Sequence, residues 1–247
     1  MTTFFMNKHC ISLFIVLYFV AISNTVFSQS NNPDPLKQVT ENTIKAYQKA
    51  IGEQSRLYRG LGFEFYDVLS PSNPYFKDSL AFTNGTVNYD GAVYKNVPLL
   101  YDLHKQLLVT YLYNGVSKIS LFNDHVTEFD VRGHHFINYK PDSVNRKMDA
   151  GFYDEIYSGK HRLLVRRIKS RQEESLTLKI IFIPKTEYYI KMGDKYIAVN
   201  SKGKLLDVFK EKKKELKKYI SNANLDFSEN KERAILNTVT YYDQISN

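Results

Sequence analysis

From residue 80 onward, β-branched and aromatic residues come in short runs separated by residue pairs that favour tight turns. Asn84-Gly85, Asp90-Gly91, Asn114-Gly115, Asn123-Asp124, Ser158-Gly159 and Gly193-Asp194 each fall between such runs, as in VNY-DG-AVY, YLY-NG-VSK and IKM-GD-KYI. These pairs supply the positive φ angles of short hairpins, so the pattern predicts an antiparallel meander. Asn84-Gly85-Thr86 also matches an N-glycosylation acceptor but reads here as hairpin chemistry. Several runs are apolar on both alternating faces. In Leu107–Tyr113, Leu107, Val109, Tyr111 and Tyr113 share one face and Leu108, Thr110 and Leu112 the other; Val97–Tyr101 and Ile180–Ile183 behave alike. Such strands need cover on both faces, from helices and a second sheet or from the curved wall of a partly closed barrel. An outer-membrane barrel fits poorly, because its lumen-facing positions should be polar.

The apolar period changes at both ends of the chain. Pro35–Arg56 places Leu36, Val39, Thr43, Tyr47 and Ile51 three or four apart, which predicts a helix. Leu205, Phe209, Leu216, Tyr219 and Ile220 form the stripe of a second helix. A third follows Ser228, with Ile235, Val239 and Tyr242 on one face and Asp226 or Ser228 as N-cap. Ser70-Pro71-Ser72-Asn73-Pro74 is a loop. The fold expected is mainly β (α+β): a curved antiparallel meander sheet or partly closed barrel with one N-terminal helix and two C-terminal helices.

The first residues place this fold in a compartment. Lys8 is followed by ISLFIVLYFVAI, Ile11–Ile22, an apolar segment too short to cross a bilayer but of the length of a secretory signal core. Val26-Phe27-Ser28 supplies a cleavage site before Gln29, so residues 1–28 are expected to be a cleaved signal peptide. Residues 29–247 then form a single β-rich domain, with 202–247 a C-terminal helical segment. Cys10, the only cysteine, leaves with the signal, so no thiol or disulfide chemistry is expected. The expected location is the periplasm, the outer-membrane surface or the exterior, with no transmembrane segment in the mature chain. The chain carries a formal charge of +8, concentrated in Lys160–Arg171 and Lys202–Lys218. An exported protein rarely meets nucleic acid, and the second run interleaves its lysines with an apolar stripe, so both runs read as solvated faces.

Candidate chemistry is sparse. G-x-S-x-G, H-E-x-x-H and the P-loop are missing, and Gly60-Leu61-Gly62 lacks the third glycine of a dinucleotide loop. S-x-x-K occurs at Ser201–Lys204 and Ser228–Lys231, in both cases as a serine opening a helical segment. His134 and His135 stand together in FDVRGHHFINY, Phe129–Tyr139. Read as one strand, this stretch puts His135 on an apolar face with Phe129 and Val131, and His134 on a polar face with Glu128, Asp130 and Arg132. Adjacent strand residues cannot share a metal, and His125 lies about 30 Å away along one strand, or about 20 Å if Arg132-Gly133 is a turn. No catalytic residue, metal or cofactor is therefore expected. Glu128, Asp130 and His134 remain a hydrolase alternative, although a sugar site would ordinarily stack on tryptophan and the chain has none. The 19 tyrosines include Tyr101, Tyr111 and Tyr113 on the central hairpins, suited to a cavity rim or an interface.

Taken together, PYF (Pro74–Phe76), GTVNYDGAVYKNVPLLYDL, YNGVSKISL, GHHFINY, GFYDEIYSGKHRLLVRR and LLDVFKEKKKELKKYI resemble a family of exported, uncharacterised proteins of Bacteroidota, from about Leu57 to the C-terminus. The resemblance implies a periplasmic or envelope location and carries no activity or functional residues. The function expected is non-catalytic: an envelope or periplasmic protein binding a hydrophobic small molecule in a half-barrel-like sheet. The alternative is an interaction or assembly module with an envelope protein as partner. Asp130, Arg132, His134, Tyr101, Tyr111 and Tyr113 are the candidate ligand-site residues.

Overall fold

A computed structural model describes residues 35–66, 71–142, 148–174 and 179–246; the expected signal segment lies outside them. The chain divides into two compact units, Met1–Ala50 and Ile51–Asn247. In the first, α1 (Pro35–Ile51) opens on proline, whose fixed φ suits a first helical position. The Thr40 and Thr43 hydroxyls donate back to the Leu36 and Val39 carbonyls.

The second unit is built on one antiparallel sheet. Its strands are β1 (Gly60–Gly62), β2 (Thr83–Tyr89), β3 (Ala92–Asp102), β4 (Leu107–Tyr111), β5 (Lys118–Leu121), β6 (Val126–Val131), β7 (His134–Tyr139), β8 (Gly151–Ser158), β9 (Arg162–Glu174), β10 (Lys179–Met192) and β11 (Lys195–Ala198). They pair in the order β1-β5-β4-β3-β2-β6-β7-β8-β9-β10-β11 and do not close into a ladder. Asp90-Gly91 and Gly193-Asp194 make short hairpin turns as expected, and Asp90 and Gly91 both have positive φ. Asn123 opens a 3-10 turn that carries the chain from β5 across to β6, a crossover and not a hairpin.

Asn84-Gly85 also departs from the reading as a turn, because it lies inside β2. The ladder with β3 shifts register between Gly85 and Thr86, and a Cβ on Gly85 would stand 2.1 Å from the Asp130 carbonyl oxygen. The glycine is there to let two backbones approach at a bulge.

The sheet curls strongly. β3 and β8 stand four places apart in the strand order, about 19 Å across a flat sheet at about 4.8 Å per strand. Yet the Tyr101 ring meets Phe152 with centroids 5.8 Å apart, and meets Phe129 and Phe136 at 5.3 and 5.1 Å. At the seam, Lys169 N–H of β9 donates to the Leu103 carbonyl at 3.0 Å and the Gln106 amide donates to the Arg167 carbonyl at 3.0 Å. The interior is filled by Val87, Tyr89, Leu99, Tyr101, Leu108, Phe129, Phe136 and Phe152, all buried. That packing explains why β3 and β4 are apolar on both faces: Leu99, Tyr101 and Leu108 point inward, while Leu100 and Val109 pack outside with Phe63 and Tyr75.

The C-terminal helices pack against β8–β10. The stretch expected as one helix breaks at Lys210–Lys212, a 3-10 turn between α2 (Lys202–Val208) and α3 (Lys213–Asn222). Ser201 caps α2 by accepting from the Lys204 N–H. α4 (Lys231–Ile245) is capped by Asn230, two residues beyond Ser228, while Asp226 and Ser228 bond each other in the preceding turn. Phe209 stacks on Tyr242 with centroids 3.9 Å apart, and Leu163, Val165, Ile190, Leu205, Leu216, Ile235 and Val239 complete this second core. No helix among the described residues is long and apolar enough to cross a membrane.

Candidate functional site

Residues following β1, the Ser-Pro-Ser-Asn-Pro loop and β10 converge outside the seam on an aromatic pocket. It has a volume of about 390 Å³ and is lined by Phe65, Tyr66, Ser72, Asn73, Pro74, Tyr75, Leu80 and Phe182. Three anchors set its walls. Phe63 N–H donates to the Lys118 carbonyl at 2.9 Å and carries the aromatic string 63–66 off the sheet edge. Tyr75 forms an isolated bridge to Asp102, beside a Leu103 N–H to Pro74 carbonyl bond of 2.9 Å. Ser72 Oγ accepts from the Phe182 N–H at 2.7 Å.

A buried lysine ties this loop down from below. Lys169 Nζ donates to the Asn73 carbonyl at 2.7 Å, the Tyr75 carbonyl at 3.1 Å and Asp78 Oδ1 at 2.5 Å. Its side chain is buried while Asp78 is exposed, so the carbonyl bonds hold the loop more firmly than the screened ion pair does. The second support is Asp102, fully buried. Its Oδ1 accepts from the His104 and Lys105 N–H groups at 2.8 and 2.9 Å, and Oδ2 accepts from the Tyr66 hydroxyl at 2.7 Å. Burial raises the Tyr66 hydroxyl far above its ordinary pKa, and the bond to the Asp102 carboxylate adds to the shift. Tyr75 is raised for the same first reason, and its buried hydroxyl has no partner among the described residues.

Apart from the Tyr75 hydroxyl, the side-chain polar groups of the wall are committed to holding the wall. The Asn73 amide bonds the Asp78 carbonyl and the Tyr75 N–H, and Ser72 is taken by Phe182. Rings dominate what remains: Phe65, Tyr66, Tyr75 and Phe182 meet edge to face with centroids 5.3 to 6.3 Å apart. Phe65 and Leu80 stay 38% and 60% exposed, so apolar surface is left open at the mouth.

The residues singled out from the sequence lie elsewhere and do not come together. Arg132 and Gly133, both at positive φ, form a two-residue turn between β6 and β7. The turn reverses the faces expected for one strand, since Asp130 pairs with His135 and Val131 with His134. His135 is therefore the residue beside Asp130, with Nδ1 to Oδ1 at 2.7 Å and Glu128 at 3.9 Å, on a solvated surface. His134 lies on the opposite face against the Phe76 ring, so Glu128, Asp130 and His134 do not converge and the hydrolase arrangement falls. Arg132 donates to Ser79 Oγ and the Ala81 carbonyl. Tyr101 is interior and donates to Gln106 Oε1; Tyr111 packs on Phe82, and Tyr113 edges onto Tyr58. His125 pairs with Asp90, and no metal-holding group of three His, Cys, Asp or Glu exists among the described residues.

His134 belongs instead to a chain of polar contacts that joins β7, β8, β9 and α4. Its Nδ1 lies 2.7 Å from Asp154 Oδ2, which also receives Arg167 at 2.6 Å; Arg167 in turn makes two bonds to Glu232 of α4, at 2.8 and 3.0 Å. Burial works against the charge of Arg167, but the bond from Glu232 and the charge of Asp154 outweigh it and hold its pKa above the ordinary value. These residues fasten α4 to β7–β9 and face no pocket described here. The pocket is not legible in the sequence because one of its rings, Phe182, lies more than a hundred positions from Phe65, Tyr66 and Tyr75. The available signal was Phe63-Glu64-Phe65-Tyr66 upstream of a proline-bounded loop that ends in Tyr75-Phe76.

Comparison with family models, curated proteins and solved structures finds no match.

Proposed function

We propose that this is a non-catalytic cell-envelope or periplasmic protein that binds a hydrophobic small molecule. The observation that carries the reading is the aromatic pocket of about 390 Å³ outside the seam. It falls within the size range of small-molecule sites, and aromatic rings dominate its walls, with the Asn73, Ser72 and Tyr66 polar groups taken up by the protein itself. The ligand position differs from a half-barrel carrier, because the space inside the curl is filled by rings. An exported location is supported by the apolar Ile11–Ile22 segment, which has the length of a secretory signal core. The alternative, an interaction or assembly module of the envelope, draws less support at the sheet edges. The edge strands β1 and β11 are three and four residues long, and short edges are poor templates for added strands.

Leu80 lines the pocket and is mostly exposed, so a larger ring there fills the cavity without disturbing packed core. Calorimetric titration with decanol is expected to give saturable binding to the protein and none to Leu80→Trp. Equal heats for the two proteins would place the binding outside this pocket and overturn the reading.

A further inference from the structure

We infer that the molecule held in this pocket is an amphipathic anion, with its apolar body among the rings and a carboxylate headgroup held by Lys105 and Lys118. This rests on the pocket reading above and adds the charge of the ligand. Lys105 Nζ lies 4.6 Å from the centroid of Tyr66, and Lys118 Nζ lies 5.2 Å from that of Phe65. Tyr66 and Phe65 are both pocket walls, so each ammonium group is one ring away from the cavity. The two lysines also line an adjoining hollow of about 610 Å³ with Gly62, Phe63, Glu64 and Ser117. The segment 63–66 runs between the two spaces, offering Phe63 and Glu64 to one and Phe65 and Tyr66 to the other.

The positive charge here is uncommitted. Among the described residues, neither Lys105 nor Lys118 has a carboxylate within ion-pair distance. The neighbouring carboxylates are accounted for: Asp102 is saturated by Tyr66 and two backbone N–H groups, and Asp78 is paired with Lys169. Glu64 alone shares the hollow, one negative charge against two positive. Lys105 is held in place from its backbone, through the bond of its N–H to Asp102 Oδ1, so its position is set by the same carboxylate that fixes Tyr66. An ammonium resting on a ring face keeps its charge available to a further anion on its solvent side.

The test compares decanoate with decanol, which share an apolar body and differ in headgroup charge. Decanoate is expected to bind on the order of tenfold more tightly at low salt, from two partly screened charge contacts. The preference should shrink as salt is raised. In Lys105→Gln/Lys118→Gln the ratio of the two affinities should fall to about one, and an unaltered urea midpoint reports that the variant is folded. Equal affinities in the original protein, or a decanoate preference that survives the double substitution, would overturn the assignment and leave the pocket reading standing. Failure of both probes to bind would remove the pocket reading as well.

Discussion

Lys169 is the residue on which the pocket wall depends most. Its buried ammonium group serves the Asn73 and Tyr75 carbonyls. Lys169→Met keeps the length of the side chain, leaves the Asn73 carbonyl without a donor and leaves the Tyr75 carbonyl with the Asp78 N–H alone, a loss of about 1–3 kcal/mol in unfolding free energy. Urea denaturation checks the magnitude, and weakened decanol binding by the same variant would tie the loop to the site. Glu155 carries a pH-dependent contribution. Burial raises its pKa, but hydrogen bonds and charge from Arg162 outweigh this and hold it below the ordinary 4.5. A carboxylate depressed in the folded state stabilises fully above its unfolded value and loses that contribution as pH falls through the folded one. Stability should therefore drop as pH falls below about 4.5, and Glu155→Gln should remove part of that dependence in urea midpoints measured across the range. Single residues were legible by type and not by face. His134 and His135 were recognised as two separate questions, but the parity of a strand holds only within it, and the Arg132-Gly133 turn exchanged their surroundings.

At the scale of elements, periodicity predicted a strand-rich centre between terminal helices and failed where one residue type serves two purposes. Glycine after asparagine marks a turn at Asn114-Gly115 and a bulge at Asn84-Gly85, and only tertiary contact distinguishes them. Gly85→Ala puts a methyl group on the Asp130 carbonyl and should destabilise by about 1–3 kcal/mol, the range for overpacking. A comparable Gly91→Ala change meets no neighbouring atom, so its cost is confined to the positive φ. α4 is fastened at its end by Asp243, which accepts from the His161 N–H, pairs with the His161 ring and accepts from the Tyr157 hydroxyl. Asp243→Ala strands those buried groups. Amide exchange across Thr238–Gln244 is expected to accelerate while exchange in β3 and β6 stays slow; uniform acceleration would mean that the helix is integral to global unfolding and not separately clasped.

The unit Ile51–Asn247 combines a strongly curled sheet, an interior filled with aromatic rings and a seam closed by the loop around Tyr75. The double-sided apolar strands announced the curl. Nothing in the linear order announced that Phe65 and Tyr75 would meet Phe182 at the seam, because a pocket is a property of closure and Phe182 lies more than a hundred positions from both. The same closure excludes ligand from the inside and offers it a place outside. Native mass spectrometry of the protein purified from the cells that produce it tests this most directly. The account predicts a bound small molecule that survives purification, released on unfolding and missing from Leu80→Trp. A bare chain mass under the same gentle conditions, or an adduct retained undiminished by Leu80→Trp, would contradict it.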